Sequence, residues 1–136
     1  RTEAPPRRVL RSKGVQLITR ALSRDVAFSV ESHQADTTAL IKRGGRNYFI
    51  TPWRGRSILG TTDVLYEGDP DRFAITEKDV ADFLAELNAI YPAAQLRRDE
   101  VTFWVGGMRP VGDADTDPAV AKAVRRAAFR VHTGGA

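Results

Sequence analysis

The chain contains no cysteine among its 136 residues, so disulfide bonds and thiolate metal sites are both excluded. This absence fits a reducing compartment, and we expect a cytoplasmic protein. No apolar run exceeds a few residues, so no segment is long enough to cross a bilayer. The basic N-terminal stretch also lacks the apolar core of a signal peptide.

Several familiar catalytic and cofactor motifs are missing as well. The sequence has no glycine-rich dinucleotide fingerprint, no phosphate-binding loop with its lysine and no nucleophile elbow. Its two histidines, His33 and His132, are far apart and lack the spacing of metal ligands. We therefore expect no metal site, and we interpret His33 as a polar loop residue.

The composition that remains is that of one ordinary globular domain. Hydrophobic residues make up 42% of the chain and charged residues 28%. The net charge of +4 comes from 21 basic and 17 acidic residues, with basic residues concentrated in 1–24, 42–56 and 122–130. Such a surface attracts nucleic acid, an acidic membrane or an anionic substrate, or it is simply a solvated face.

Short apolar segments separated by polar connections predict a sheet. The predicted strands span residues 14–19, 26–31, 37–43, 47–52, 56–62 and 100–107. The first five follow one another with short connections, which favours an antiparallel meander. We expect residues 1–13 to be irregular, and Arg54 and Arg56 to lie at a solvated hairpin turn rather than at a ligand.

One helix follows these strands. Thr76 is a candidate N-cap, Asp79 nearly completes a capping box, and Pro92 ends the helix. Apolar residues repeat at helical spacing, at Val80, Phe83, Leu84 and Leu87.

A second helix is predicted to start near Asp117 and Pro118. The predicted class is α+β, a mostly antiparallel sheet of about five or six strands with helices packed on one face.

Two segments carry candidate binding groups. Residues 60–63, Gly-Thr-Thr-Asp, bring hydroxyls and a carboxylate to a strand end, where local backbone capping is the alternative explanation. Residues 106–107 are glycines, which allow a flat ligand or another backbone to approach closely. Pro110 restricts Arg109 to an extended conformation. An arginine held in this way either presents its planar fork to a carboxylate or phosphate, or forms a surface salt bridge.

Four segments resemble, in order and spacing, the FAD-dependent glycerol-3-phosphate dehydrogenases of the D-amino-acid-oxidase-like flavoproteins. These segments are "SKGVQL", "YFITPWRGRSILGTTDVLYEGDP", "ITEKDVADFLAELNAIYP" and "VTFWVGGMRPVGDADTDP", and the resemblance covers roughly residues 8–130. The family's glycine-rich dinucleotide-binding half and its later G-G-K-W-T-T segment do not occur in this chain. The resemblance thus implies a substrate-binding (cap) domain at 14–130, a C-terminal tail at 131–136, and an FAD-binding Rossmann domain absent from this chain.

The resemblance implies an oxidoreductase that converts glycerol 3-phosphate to dihydroxyacetone phosphate. Hydride would pass from the substrate carbon to flavin N5, and electrons would then pass to a quinone or oxygen. The partners implied are the FAD-binding domain of the same polypeptide and, for the whole enzyme, the inner face of the cytoplasmic membrane. Taken alone, the fragment is expected to be inactive and not to bind FAD.

Residue roles follow from the same resemblance. Arg109 corresponds to the arginine that holds the substrate phosphate, and a second family arginine falls on Arg125 or Arg126. Thr62 is assigned to the substrate, Asp63 lines or supports the site, and the residues assigned to the flavin are Thr61, Gly106 and Gly107.

The chain departs from the family at Gln16, where the family usually has a histidine that assists removal of the substrate hydroxyl proton. Glutamine forms hydrogen bonds but cannot act as a base near neutral pH. Either another group takes the proton, or the substrate is another anionic alcohol or amine.

A different class of function is a free-standing basic binding module. Trp53 and Trp104 do not alternate with basic residues along one face, as a nucleic-acid stacking platform would require. We therefore expect no nucleic-acid partner.

Overall fold

The computed structural model of the chain describes residues 9–32 and 46–113. Within them it contains one α-helix, α1, at Glu77–Ile90. Short 3-10 turns occupy Pro70–Arg72, Pro92–Ala94 and Arg98–Glu100. The strands are β1 Val9–Arg20, β2 Phe28–Glu31, β3 Asn47–Trp53, β4 Arg56–Gly60, β5 Val64–Tyr66 and β6 Val101–Asp113.

All strand pairs are antiparallel, and β1 lies in the middle of the sheet. The order is β2-β3-β4-β1, with β5 following β4 along the same edge of β1 and β6 pairing along its other edge. The prediction of a mostly antiparallel α+β fold is confirmed. The predicted meander is correct for the β3–β4 hairpin. It is wrong for β1, which pairs with none of its sequence neighbours among the described strands, and for β2, which pairs directly with β3 although the prediction placed the strand at 37–43 between them. A long strand is better placed where the backbone groups along both of its edges are hydrogen-bonded.

Two strands are longer than predicted. β1 begins at Val9, so the expectation of an irregular segment up to residue 13 is wrong for residues 9–13. β6 continues through Gly106-Gly107 and Pro110 to Asp113, because it pairs with β1 over nearly its whole length. Proline is tolerated there since β6 has only one strand neighbour among the described residues. The predicted strand at 37–43 and the predicted helix near Asp117 lie outside the described residues.

The hydrophobic core lies between α1 and one face of the sheet. The four apolar helix residues predicted from their spacing are all buried. Tyr48 and Phe83 meet edge to face, with ring centroids 5.0 Å apart. The sheet supplies Val15, Leu17, Tyr48, Ile50 and Leu59 to the same cluster. Within residues 9–32 and 46–113, the helix therefore covers one face of the sheet and the other face is open.

The start of α1 is fixed to β1 by a small network around Asp79. Thr76 N donates to Asp79 Oδ2 at 2.6 Å and Asp79 N donates to Thr76 Oγ1 at 3.3 Å, so the capping box is complete with aspartate. Lys13 Nζ donates to the same Oδ2 at 2.6 Å and to the carbonyl oxygen of Ala74 at 2.9 Å. The lysine thus ties the central strand to the helix N-terminus.

The β3–β4 hairpin closes with two residues in the left-handed region. Arg54 has φ 48° and Gly55 has φ 73°, as a type I′ hairpin turn requires. Arg54 and Arg56 are exposed, and the Arg54 guanidinium stacks 5.1 Å from the centre of the Trp53 ring. Both arginines therefore lie at a solvated turn, as the sequence predicts.

Within residues 9–32 and 46–113, the single α-helix is too short and too polar to be a membrane-spanning segment.

Replacing Asp79 with alanine should destabilise the fold by about 1–2 kcal/mol, because it removes half of the capping box and the partner of Lys13. Urea unfolding of the chain, followed by circular dichroism at 222 nm, measures this change. Asp82→Ala is the matched control, since its pair with Lys78 is highly exposed and should contribute little. Equal effects of the two substitutions would contradict this role of Asp79.

The same comparison should depend on pH. Partial burial opposes ionisation of Asp79, but the hydrogen bonds from Lys13 and Thr76 outweigh it and lower its pKa below the usual range. The folded state therefore favours the ionised carboxylate. Its contribution to the free energy of unfolding is fully present above the pKa of an unfolded aspartate, about 4, and is lost as the pH falls through the lowered pKa of the folded state. The stability difference between the wild type and Asp79→Ala should shrink as the pH is lowered from 7 to 3.

Candidate functional site

The open face of the sheet, opposite α1, carries both small and apolar residues. Side chains alternate between the faces of a strand, and paired residues of neighbouring strands share a face. The register aligns Phe49, Gly60, Gln16 and Val105 in one row across four strands of this face. Phe49 is 60% exposed and Phe103 57% exposed. An apolar face of this kind marks a surface that binds a ligand or another protein part.

A shallow cavity of about 380 Å³ lies at one end of this face. It is formed by β1, by the link between β4 and β5, and by β6. Five of the residues singled out in the sequence line it together, namely Gln16, Thr61, Gly106, Gly107 and Arg109. The other lining residues are Gly14, Val105 and Met108. The structure thus brings together residues that are widely separated along the chain, and the functions assigned to them stay predictions.

Arg109 supplies the positive charge of this cavity. It lies on β6 opposite Ser12 of β1, and its side chain is 50% exposed. Its Nη2 atom sits over Gly14, where a β-carbon added to the glycine would be only 3.1 Å away. A carboxylate, that of Asp63, lies nearby, with Nη2 and Oδ1 3.9 Å apart. The guanidinium therefore keeps donors available for an anion that enters the cavity.

The two glycines of β6 have different functions in the fold. A β-carbon on Gly106 would lie 2.6 Å from the carbonyl oxygen of Gly14 and 2.6 Å from Ile75 Cδ1. A β-carbon on Gly107 would meet nothing within 4 Å among the described residues. Gly106 is thus required by internal packing, whereas Gly107 leaves bare backbone facing open space. Of the two, only Gly107 offers the approach for a flat ligand that the sequence suggests for both.

Gln16 lies exposed at the cavity with its side chain folded over Gly60. A β-carbon on Gly60 would be 2.7 Å from Gln16 Cγ, so the glycine makes room for the glutamine. The carboxamide can donate and accept hydrogen bonds but cannot take a proton near neutral pH. None of the residues that line this cavity, as far as the structure describes it, is His, Asp or Glu.

Thr61 and Thr62 are both tied to the backbone of Val15. Thr61 Oγ1 donates to the Val15 carbonyl oxygen at 3.2 Å, and Thr62 Oγ1 accepts from Val15 N at 2.9 Å. Thr62 is 7% exposed and does not line the cavity, which favours a structural function over the predicted contact with substrate. Arg125 and Arg126, the two candidates for a second anion ligand, lie outside the described residues.

A second cavity, of about 430 Å³, lies on the helix side between β5 and α1. All of its charged side chains are paired, Lys13 with Asp79, Arg46 with Glu86 and Asp82 with Lys78. Tyr48, beside this cavity, accepts a hydrogen bond from Arg46 Nη1 at 3.0 Å, and burial raises the pKa of its hydroxyl above the usual range. This cavity therefore offers no free acid or base in the described part of the chain. The described residues also contain no group of three or more potential metal ligands.

Comparison with protein families gives a match over nearly the whole chain. Residues 1–135 match the family model of the FAD dependent oxidoreductases.

Individual proteins match over about half of the chain. A glycerol-3-phosphate dehydrogenase of Synechocystis sp. is 43% identical over 70 residues, which are 52% of this chain and 13% of that protein. The aerobic glycerol-3-phosphate dehydrogenase of Escherichia coli is 37% identical over 73 residues, or 53% of this chain and 14% of that protein. A D-erythritol 1-phosphate dehydrogenase of Brucella abortus is 36% identical over 69 residues, which are 50% of this chain and 14% of that protein. The match thus spans about one seventh of the length of each of these relatives.

A solved structure shares the fold. The glycerol-3-phosphate dehydrogenase of Bacillus halodurans, complexed with FAD, superimposes with a TM-score of 0.56 and 29% sequence identity. The superposition covers 75% of this chain and 19% of that protein. The sheet and helix described above therefore correspond to part of a larger flavoprotein structure.

The contrast between Gly106 and Gly107 can be tested by substitution. Gly106→Ala should destabilise the fold by about 1–3 kcal/mol, because its methyl group would clash with the backbone of Gly14. Gly107→Ala adds the same methyl group into open space and should leave the midpoint of thermal unfolding nearly unchanged. Thermal unfolding of both variants under the same conditions provides the comparison. An equal drop in Tm for the two would show that the packing difference is not as described.

Proposed function

This chain belongs to the family of FAD-dependent oxidoreductases, and we propose that it forms the substrate-binding part of an enzyme that oxidises glycerol 3-phosphate to dihydroxyacetone phosphate. The observation that carries the proposal is the half-exposed guanidinium of Arg109 beside the bare backbone of Gly107 in one cavity. A cation next to an open, flat backbone surface suits an anionic substrate held against a planar group.

The names of the matched proteins support a phosphorylated polyol as substrate. They are dehydrogenases of glycerol 3-phosphate and of D-erythritol 1-phosphate, and a protein of Enterococcus casseliflavus that is 34% identical over 70 residues is an alpha-glycerophosphate oxidase. Each of these substrates is a polyol in which one hydroxyl carries a phosphate and the other hydroxyls are free. Arginine is well suited to the phosphate because its planar fork matches two phosphate oxygens.

The cavity residues fit the ring end of FAD. Gly107 leaves its backbone open, Val105 is 40% exposed beside it, and Thr61 lines the same cavity. A flat, partly apolar surface of this kind suits an aromatic ring system. The cavity has no glycine-rich loop at a helix N-terminus among its described residues to hold the pyrophosphate, so that end of FAD would be bound by the rest of the enzyme.

In the proposed reaction this chain binds and orients the substrate. The chemistry that flavin supplies when bound is acceptance of a hydride from the substrate carbon. Arg109 would hold the phosphate, and Gln16 Oε1 would accept a hydrogen bond from a substrate hydroxyl without removing its proton. The group that takes this proton would lie outside the described cavity lining, which contains no base near neutral pH.

Gln16 is also compatible with an alternative proposal, in which the substrate is not glycerol 3-phosphate. Because its carboxamide both donates and accepts hydrogen bonds, it is compatible with another anionic alcohol or an amine.

We propose a quinone or oxygen as electron acceptor and a cytoplasmic location, with the enzyme peripheral on the inner membrane face. The absence of cysteine is consistent with that compartment.

Replacing Arg109 with alanine in the full-length enzyme should raise the KM for glycerol 3-phosphate about tenfold or more. The expected loss is at least one charge-assisted hydrogen bond, each of which contributes about 1.5–3 kcal/mol. Arg54→Ala is the matched control, because Arg54 lies at an exposed turn and does not line the cavity. An unchanged KM for the Arg109 variant would refute the assignment of the anion to this residue.

Filling the space at Gly107 should affect the cofactor. Gly107→Val places a branched side chain in the open space beside the cavity, and we expect full-length protein to purify with less bound FAD per chain. The ratio of flavin absorbance to protein absorbance measures this. Thr51→Val, at an exposed position of β3 that does not line the cavity, is the control and should keep its FAD.

A further inference from the structure

The carboxylate of Asp63 contains an oxygen whose environment calls for an explanation. Its Oδ1 atom is buried and accepts no hydrogen bond from the described residues, although the side chain as a whole is 40% exposed. A buried carboxylate oxygen without a donor is unfavourable, because it has lost water without gaining a protein partner. The arrangement therefore indicates that the carboxylate interacts with a neighbouring charged group.

The cation beside Asp63 in the described part of the chain is Arg109. Its Nη2 atom is 3.9 Å from Oδ1, within range of an ion pair and slightly beyond a hydrogen bond. The same Nη2 atom lies over Gly14. The guanidinium thus lies against β1 and near Asp63, and Arg109 also lines the cavity.

The backbone around Asp63 is held firmly on both sides. The preceding residue, Thr62, donates its backbone N–H to the Val15 carbonyl oxygen at 3.1 Å and accepts from Val15 N through its hydroxyl. The following residue, Val64, pairs with Lys13 in the ladder between β1 and β5. A short side chain on a fixed backbone can orient a long, half-exposed side chain, and the reverse is not favoured.

We propose that Asp63 is a positioning residue for Arg109. Its carboxylate fixes one edge of the guanidinium against β1 above Gly14, so that the other edge faces the cavity and meets an anionic group. Without this carboxylate the arginine would sample more rotamers and bind the anion less well. The identity of the anion as the phosphate of a polyol phosphate rests on the proposed function, whereas the restraint on Arg109 does not.

The restraint can be measured without any substrate. Phenylglyoxal modifies accessible guanidinium groups, and peptide mass spectrometry gives the rate of modification at Arg109 in the full-length protein. In Asp63→Ala this rate should rise several-fold, and in Asp63→Asn, which keeps an acceptor oxygen, it should rise less. The rate at Arg72, whose side chain is 88% exposed, should stay constant as an internal reference. Asp99→Ala, which removes an exposed carboxylate paired with Arg97, should leave the rate at Arg109 unchanged.

An unchanged modification rate at Arg109 in both Asp63 variants would overturn the proposal. Asp63→Asn has nearly the shape of aspartate, so it serves as the test should the alanine variant fail to fold.

The consequence for binding is tested by a double-mutant cycle. Asp63→Ala should raise the KM for glycerol 3-phosphate about tenfold with kcat nearly unchanged, and should have no further effect in an Arg109→Ala background. If Arg109→Ala weakens binding and Asp63→Ala does not, the positioning function is wrong while the proposed function stands. If Arg109→Ala itself has no effect on KM, the proposed anion assignment fails, and the modification rates decide the positioning function independently. Tighter binding in Asp63→Ala would also contradict the proposal, because it would mean that the carboxylate only repels the anion.

Discussion

The central strand β1 is the constraint on which the rest of the structure depends. Four consecutive residues, 13–16, act on different parts of the molecule because side chains alternate between the two faces of a strand. The side chains of Lys13 and Val15 lie on the helix side of the sheet. Lys13 donates a hydrogen bond to Asp79, and Val15 packs in the hydrophobic core. Gly14 and Gln16 serve the open side, beneath Arg109 and at the cavity. A shift of one residue in the pairing of β1 would exchange these functions.

The cavity owes its shape to where side chains are missing. Gly14 leaves room for the Arg109 guanidinium, Gly60 leaves room for Gln16, and Gly107 leaves its own backbone uncovered. Gly106 is different, since its missing side chain allows β6 to lie close to β1 and to Ile75. The glycines on the open face therefore shape the candidate site, and Gly106, on the helix side, permits the strand packing that supports it.

The sequence predicts local features well and the arrangement of strands poorly. The limits of α1, its Thr76 cap and its buried face follow from spacing and capping chemistry, which are local. The central position of β1 does not, because strand pairing depends on residues far apart in the chain. The continuation of β6 past Pro110 is missed for a related reason, since pairing with β1 outweighs a local signal for a strand end. The candidate site shows the same difference between local and long-range features. Arg109 could be predicted as an anion ligand from its neighbours Pro110, Gly106 and Gly107. The burial of Thr62 and the approach of Asp63 to Arg109 could not, because they depend on how the link between β4 and β5 lies along β1.

The chemistry of the cavity also limits what this part of an enzyme can contribute. Arg109 supplies charge, Gln16 a carboxamide and Thr61 a hydroxyl already engaged with Val15, and none of these removes a proton near neutral pH. Under the proposed function, such groups would hold an anionic substrate in one orientation, which by itself lowers the entropic part of a reaction barrier. Proton transfer and electron transfer would require groups supplied from elsewhere. The division of labour is physically reasonable, because a sheet fixed by two-sided pairing of its central strand is a rigid support for orientation.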